Sequence, residues 1–354
     1  MQPDLTVIGA IGSSFRQVKE ARAQAILFDL GGTFLRAGVL FQDGLISGFE
    51  KFRIQNVTHG LSPNDIWRRL LLQVTSYTTR ILLTEWAHAP IVFSFPGAVI
   101  ERRRFLGAST VTGKGLVDFD LAGAIESCTG RRVIFLNDVS AAAWRIAEMT
   151  TAERFLVVTV SSGIGSKIFD RSHPLQVLDS PAYAGEIGHV VVDDSADALV
   201  CDCGGRGHLG GISSGRGFER FARREAERHP QSFAQSAVVR NFNGMAETVN
   251  NEAHLVPAVL RGDEWATRVV VACTRPLVRS LLTLAMGSGL DRVFLMGGIA
   301  TALGDTYLAI VRALANELCG CTGQAGIESL FESIGSEVSL EGCAAFFRRK
   351  QNKL

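Results

Sequence analysis

The sequence of 354 residues lacks any uninterrupted apolar run of about 18 residues, the length a membrane-spanning helix requires, so no membrane partner is expected. It also lacks charge of one dominant sign. The 36 Lys and Arg residues face 35 Asp and Glu, and a formal net charge of +1 supplies no overall attraction to nucleic acid or anionic lipid. The basic triplet Arg102-Arg103-Arg104 reads as a solvated loop. Met1 to Gln24 has no basic start followed by an apolar core and a cleavage site, so the expectation is no secretion signal and a cytoplasmic location. Cysteine is too scattered for a disulfide framework: there are 7, an odd number, and only Cys201/Cys203 and Cys319/Cys321 lie close together. Reduced thiols or metal ligands are the reading, with Cys128, Cys273, Cys319, Cys321 and Cys343 as small buried apolar residues.

What is present is an apolar share of 47% over a length that favours one large domain or two lobes with their own cores. From Ala25, AILFDLGGTFLRAGVL reads as a strand, a Gly-Gly turn and a second strand. Asn64 to Ala87 has helical spacing, then APIVFSF is a strand broken at Pro96-Gly97. Leu116 to Ser127 is helical, RRVIFL a strand, Asp138 to Glu148 helical, and RFLVVTV a strand ending in SSGIGS. These are the parts of an α/β lobe. After a stretch rich in Gly, Asp and Cys around residues 185 to 217, helices begin at Gly217 and include Asp263 to Met286, interrupted by Pro276. DRVFLMGGI is one more strand running into a glycine turn, and Thr301 to Leu318 is helical. Glycine-turned strands near residues 29 and 159 suggest an internally duplicated α/β architecture with a cleft between the halves.

Three of these turns carry chemistry. Asp29, Gly31, Gly32 and Thr33 offer backbone N–H donors, a hydroxyl and a carboxylate able to hold hydrated magnesium, although a Gly-Gly hairpin is equally at home as a simple tight turn. Ser162, Gly163 and Gly165 follow a strand directly, as do Gly297 and Gly298. Each alone is more often structural; together they match a clamp on a nucleotide. Asn137-Asp138 stands between a strand and a helix. Asp138 is either a helix cap or a carboxylate that accepts a proton from a hydroxyl attacking a γ-phosphate. His189, Cys201, Cys203 and His208 form a soft donor set suited to tetrahedral structural zinc, against the alternative of an exposed loop with incidental Cys and His.

These residues resemble the ROK family, sugar kinases and related repressors within the actin-like, hexokinase-like ATPases. DLGGTFLR is similar to its first phosphate motif, LNDVSAAAW to its Asn-Asp segment, AGEIGH is a very close match, and CDCGGRGHLGGISSG follows its zinc-binding signature. The resemblance implies an α/β, duplicated ribonuclease-H-like fold of two lobes with an interlobe cleft. The first lobe would span 1–136 plus a C-terminal helix of about 340–354, and the second 137–339 with the zinc segment 189–208. It implies ATP with Mg2+, structural Zn2+, a homodimer, Asp138 as base, and an acceptor lined by Gly97, Ser109, Thr110, Asn137, Glu186 and His189, the last shared with zinc.

The departures from the family narrow the acceptor. His208 stands where a third cysteine is usual, and imidazole is also a good zinc donor. Gly210 replaces a glutamate that grips ring hydroxyls near the anomeric carbon, and GASTVTGKG lacks the Asn and Trp of glucose kinases. Glucose therefore becomes a doubtful substrate. The expected acceptor is a primary hydroxyl of a C7-cyclitol, which has no anomeric centre, as in family members serving validamycin- or acarbose-type pseudosugar (antibiotic) biosynthesis. A hexose or N-acetylhexosamine is the alternative. Ser161 replaces a glycine, and Lys167, where a small residue is usual, is expected to reach solvent rather than phosphate. A sugar-responsive regulator is the third reading, disfavoured because the 28 residues before Asp29 are too few for a DNA-binding module.

Overall fold

The expected opening hairpin forms strands β1 (Ala23–Leu30) and β2 (Phe34–Phe41), paired antiparallel with Asp29 opposite Arg36 and Leu30 opposite Leu35. This computed structural model describes residues 23–81, 89–105, 107–113, 119–181, 183–319, 326–335 and 338–351, with the side chains of Ser109 and Thr110 outside that description. The edge strand β3 (Ile46–Arg53) alternates exposed and covered residues, whereas β4 (Ile91–Phe95) is buried throughout. That contrast is what separates an edge strand with a solvated face from a parallel strand covered on both faces. A short ribbon, β5 (Val99–Ile100) with β6 (Arg104–Phe105), precedes β7 (Val133–Asn137). The main sheet has the order β3-β2-β1-β4-β7, with β4 parallel to both β1 and β7.

Helix α1 (Pro63–Ile81) covers this sheet with Ile66, Trp67, Leu70, Val74 and Tyr77, apolar positions at helical spacing. An aromatic cluster fills the core: Phe95 stacks on Phe105 at 4.2 Å and on Trp67 at 5.8 Å, and Phe28 meets Tyr77 edge-on at 5.5 Å. The expected helix beyond Ile81 falls mostly on residues 82–88, outside the described residues. Helix α2 (Leu121–Thr129) starts later than the spacing suggested because the Asp120 carboxylate accepts from Gly123 N at 2.8 Å and caps it there. The Arg triplet is not merely solvated. Arg103 forms a two-pronged pair with Glu126 at 2.7 and 2.8 Å, and the Arg102 guanidinium lies 4.5 Å from the Phe346 ring centroid.

Helix α3 (Asp138–Met149) packs on the C-terminal helix Val338–Lys350, through Trp144 edge-on to Phe346 at 5.6 Å and ion pairs Arg145–Glu341 and Arg348–Glu148. This packing draws α3 into the first of two units, Met1–Met149 with Glu337–Leu354; the second is Thr150–Ser336. The division thus falls after α3 rather than at 136/137, where a boundary would have cut the apolar face of α3 from its partner helix. Phe346 is fully buried. Phe346→Ala is expected to lower stability of the first unit by about 3–5 kcal/mol, read by chemical denaturation followed through the adjacent Trp144 fluorescence.

The second unit repeats the plan. β8 (Arg154–Val160) and β9 (Ile164–Asp170) form a hairpin, and β10 (Arg292–Met296) and β11 (Phe331–Ser333) add in parallel, in the order β11-β10-β8-β9. A hairpin whose first strand continues into parallel strands on its other side occurs in both sheets, which is the duplication expected. Helix α4 (Gly215–Arg228) and the 25-residue helix α5 (Glu264–Ser288) cover the sheet. Pro276 does not interrupt α5. One backbone hydrogen bond is lost there, but Cys273, Leu277, Val278 and Leu281 are buried around it and hold the helix together. Among the described residues α5 is also the one helix long and apolar enough to cross a bilayer by length and composition, and half of its most apolar window is packed inside this unit. The expected helix from Thr301 is split into Gly298–Leu303 and Asp305–Cys319 by Gly304. Cys273, Cys319 and Cys343 are buried as expected; Cys128 is exposed, because it sits on the outer face of α2, and Cys321 lies outside the described residues.

Candidate active site

In the first unit, the carboxyl ends of three adjacent strands present polar groups side by side. Asp29 of β1 is in register with Ser94 of β4, and Phe95 of β4 with Asn137 of β7. In open α/β sheets this edge is where ligands bind. Asp29 is 5% exposed, and its two oxygens accept from Arg36 Nη1 at 3.0 Å and Ser94 Oγ at 2.8 Å. A carboxylate already held by Arg36 and Ser94 suits a hydrated Mg2+ held through water rather than a directly bound ion. The Gly31–Thr33 turn closes with Gly31 N donating to Phe34 O at 2.9 Å, and the Gly32 carbonyl accepts from Asn56 Nδ2 at 2.7 Å. Thr33 is exposed.

Asn137 caps the helix that Asp138 begins. Its Oδ1 accepts from Val139 N at 3.1 Å and Ser140 N at 3.2 Å, so Asn137, not Asp138, caps α3. Its Nδ2 donates to the Gly97 carbonyl at 3.0 Å and to Asp138 Oδ1 at 3.0 Å. Asp138 Oδ1 also accepts from Val139 N at 2.9 Å, within the first turn of the helix. The Asn137 amide therefore fixes the carboxylate relative to the Pro96-Gly97 bend. Gly97 must be glycine: a Cβ there would lie 2.0 Å from the Gly107 carbonyl oxygen. Ser109 and Thr110 open the short helix Ser109–Thr112 that follows.

In the second unit, two glycine turns come together. Thr159 at the end of β8 pairs with Met296 at the end of β10, which places Ser162-Gly163 beside Gly297-Gly298. The N-terminus of α4 joins them, with Gly215 N donating to the Ser161 carbonyl at 2.7 Å. Backbone N–H groups at glycine turns next to a helix N-terminus suit anionic phosphate. Gly165 lies in β9 opposite Thr159. Lys167, expected to reach solvent, is 7% exposed, and its Nζ donates to the Ala184 carbonyl; strand pairing with Val157 points it inward.

Glu186 and His189 bracket the one-turn helix Ile187–His189, with Glu186 Oε2 3.7 Å from His189 Nε2. His189, Cys201, Cys203 and His208 each offer a ligand atom, all within 4.8 Å of one another. Two thiols and two imidazoles at such separations fit tetrahedral zinc, whose bonds of ~2.0–2.3 Å place donors ~3.5 Å apart. Burial pushes the Cys201 thiol above its usual range, and the Cys203 sulfur adds to this; a bound cation reverses both. The backbone shapes the cluster. Cys201 N donates to Gly205 O at 2.8 Å, Leu209 N to Val190 O at 2.8 Å, and Asp202 between the thiols is held by Arg216 and Arg220 of α4, each at 3.0 Å.

Sequence reasoning missed Arg36 and Ser94. The first was legible, since a hairpin that pairs Leu30 with Leu35 sets Arg36 opposite Asp29; the second needs the strand order, which no local pattern carries.

Comparison with known proteins places this arrangement. The model of the ROK family matches residues 28–350. A C(7)-cyclitol 7-kinase from Streptomyces hygroscopicus subsp. jinggangensis is 36% identical over 312 residues, 86% of each chain. An N-acetylmannosamine kinase from Escherichia coli is 28% identical over 298 residues, covering 82% of this chain and 88% of its own. A ROK family glucokinase from Streptomyces griseus, solved with glucose and AMPPNP, superposes with a TM-score of 0.70 at 22% identity, covering 92% of this chain and 99% of its own.

Proposed function

Because the chain belongs to the ROK family, we propose that it is an ATP-dependent kinase that phosphorylates a primary hydroxyl of a C7-cyclitol. The observation that carries the reading is 36% identity with a C(7)-cyclitol 7-kinase across 86% of both chains, against 28% with the N-acetylmannosamine kinase. The superposition with the glucokinase supports the shared actin-like ATPase fold.

In this reading Asp138 accepts the proton of the acceptor hydroxyl as that oxygen attacks the γ-phosphorus and ADP leaves. Asn137 holds the Asp138 carboxylate in place and reads the bend at Gly97, while Ser109, Thr110, Glu186 and His189 contact the other hydroxyls. Asp29, Gly31, Gly32 and Thr33, with Ser162, Gly163, Gly165, Gly297 and Gly298, are the proposed phosphate-binding groups. Mg2+ bound with ATP supplies charge neutralisation of the phosphates. Zinc at His189, Cys201, Cys203 and His208 would fix the ring orientation of His189. Gly210 is buried, and a Cβ there would lie 3.1 Å from the Gly188 carbonyl oxygen, so a larger side chain such as the glutamate of glucose kinases would need the backbone there to shift by a few tenths of an ångström. A cytoplasmic homodimer working in pseudosugar antibiotic biosynthesis completes the reading.

The test is an acceptor panel of C7-cyclitols, hexoses and N-acetylhexosamines with ADP release as the readout. A cyclitol is expected to show kcat/KM at least about 100-fold above glucose, a gap that loss of a hydroxyl-reading contact produces. Clear preference for glucose, or for N-acetylmannosamine, would refute the assignment.

A further inference from the structure

The acceptor loop of the second unit, from Ala184 to His189, lies on strand β9. Three consecutive contacts fasten it. Ser166 N donates to the Gly185 carbonyl at 2.9 Å, Ser166 Oγ reaches the same oxygen at 3.2 Å, and Lys167 Nζ donates to the Ala184 carbonyl. The approach is so close that a Cβ on Gly185, whose φ is +84°, would fall 1.7 Å from the Ser166 carbonyl oxygen and 3.2 Å from Lys167 Cδ. The Lys167 stem is therefore part of the surface against which the loop packs. Its ammonium head is the part that costs free energy to bury, and it is spent on a main-chain carbonyl two residues before Glu186. From there the chain runs through two tight bonds, Glu186 N to Tyr183 O at 3.1 Å and His189 N to Glu186 O at 3.0 Å. No freely rotating residue separates the clamp from the two side chains that face the acceptor.

The geometry points to Lys167 as a positioning residue for acceptor recognition: it anchors the Ala184 carbonyl and thereby sets where Glu186 and His189 stand. This deepens the kinase reading and rests on it. Because β9 begins at Ile164, directly after the phosphate turn, the same strand carries both the turn and the anchor. The anchor's hydrogen bond goes to the acceptor loop, so its loss is expected to act on the acceptor. A neutral side chain of the same length keeps the packing against Gly185 and removes the charged hydrogen bond.

The experiment is Lys167→Met in the full chain, with kinetics for acceptor and ATP measured separately and hydrogen exchange followed across Tyr183 to Val190. The expected result is an acceptor KM raised about tenfold, the loss of one charge-assisted hydrogen bond, with the KM for ATP within about twofold and faster exchange confined to that loop. An unchanged acceptor KM with unchanged exchange overturns the proposal. So does an equal loss for acceptor and ATP with a lowered melting temperature, which is what a purely structural lysine gives. Should the methionine variant not fold, Lys167→Gln keeps a donor that falls short of Ala184 and carries the same readouts. If the unaltered enzyme phosphorylates no acceptor in the panel, the kinase reading fails, while the exchange measurement still decides whether Lys167 anchors the loop.

Discussion

Asp138→Asn is expected to lower kcat by about 10²–10⁴-fold while leaving the affinity for ATP and for the acceptor within a few fold, the span that a positioned general base contributes. The substitution is a clean one here. Asparagine is nearly isosteric, its Oδ1 can accept the same bonds from Val139 N and Asn137 Nδ2, and the cap of α3 resides in Asn137, so the helix start is untouched. What is lost is the ability to take a proton. ADP release with saturating substrates gives the rate, and isothermal titration with each substrate shows that binding persists. Turnover within tenfold of the unaltered enzyme would remove Asp138 from the role of base.

Removal of one zinc ligand is expected to have the second-largest effect. Cys203→Ser should take bound zinc from one equivalent per chain to near zero by elemental analysis, since serine is a poor zinc donor and the remaining Cys201, His189 and His208 cannot close a tetrahedron. Turnover should fall by at least about tenfold, because second-sphere and ligand changes at metal sites cost that much and His189 is proposed to serve both the metal and the acceptor. The effect on folding should stay local. The segment 190–209 is pinned by backbone bonds that need no metal, including Val192 N to Gly207 O at 2.8 Å, and by Asp202 to Arg216 and Arg220. Circular dichroism should therefore show retained secondary structure. A variant, or a preparation stripped with chelator, that contains no zinc and works at full rate would refute the four-ligand assignment.

How far the sequence could be read depended on the range of the interaction. The β1–β2 hairpin, the strand-to-turn unit at β8 and β9, and the His-Cys-Cys-His cluster are written in contiguous residues, and their periodicity and donor chemistry were sufficient. Asp138 was legible as a choice of two roles; the structure gives the cap to its neighbour Asn137, and the base role stands as the proposal. Lys167 was misread because a long cationic side chain ordinarily snorkels outward, and only the pairing of β8 with β9 and the distant Ala184 carbonyl turn it inward. The division of contacts after Met149 is set by the same kind of distant interaction. Nothing near residue 137 announces that α3 will pack on a helix some two hundred residues later, as the Arg348–Glu148 pair records. Pro276 shows tertiary burial overriding a local helix breaker.

That late helix has a consequence for biosynthesis. The first unit is assembled from two segments, Met1–Met149 and Glu337–Leu354, that flank the second, whereas Thr150–Ser336 is contiguous. As the chain leaves the ribosome, the sheet begun at Ala23 waits for Val338–Lys350 to emerge before Trp144 and Phe28 gain their final cover, so the half translated second has all its residues available first. Synthesis thus completes the contiguous second unit before the helix Val338–Lys350 is available to cover the first sheet.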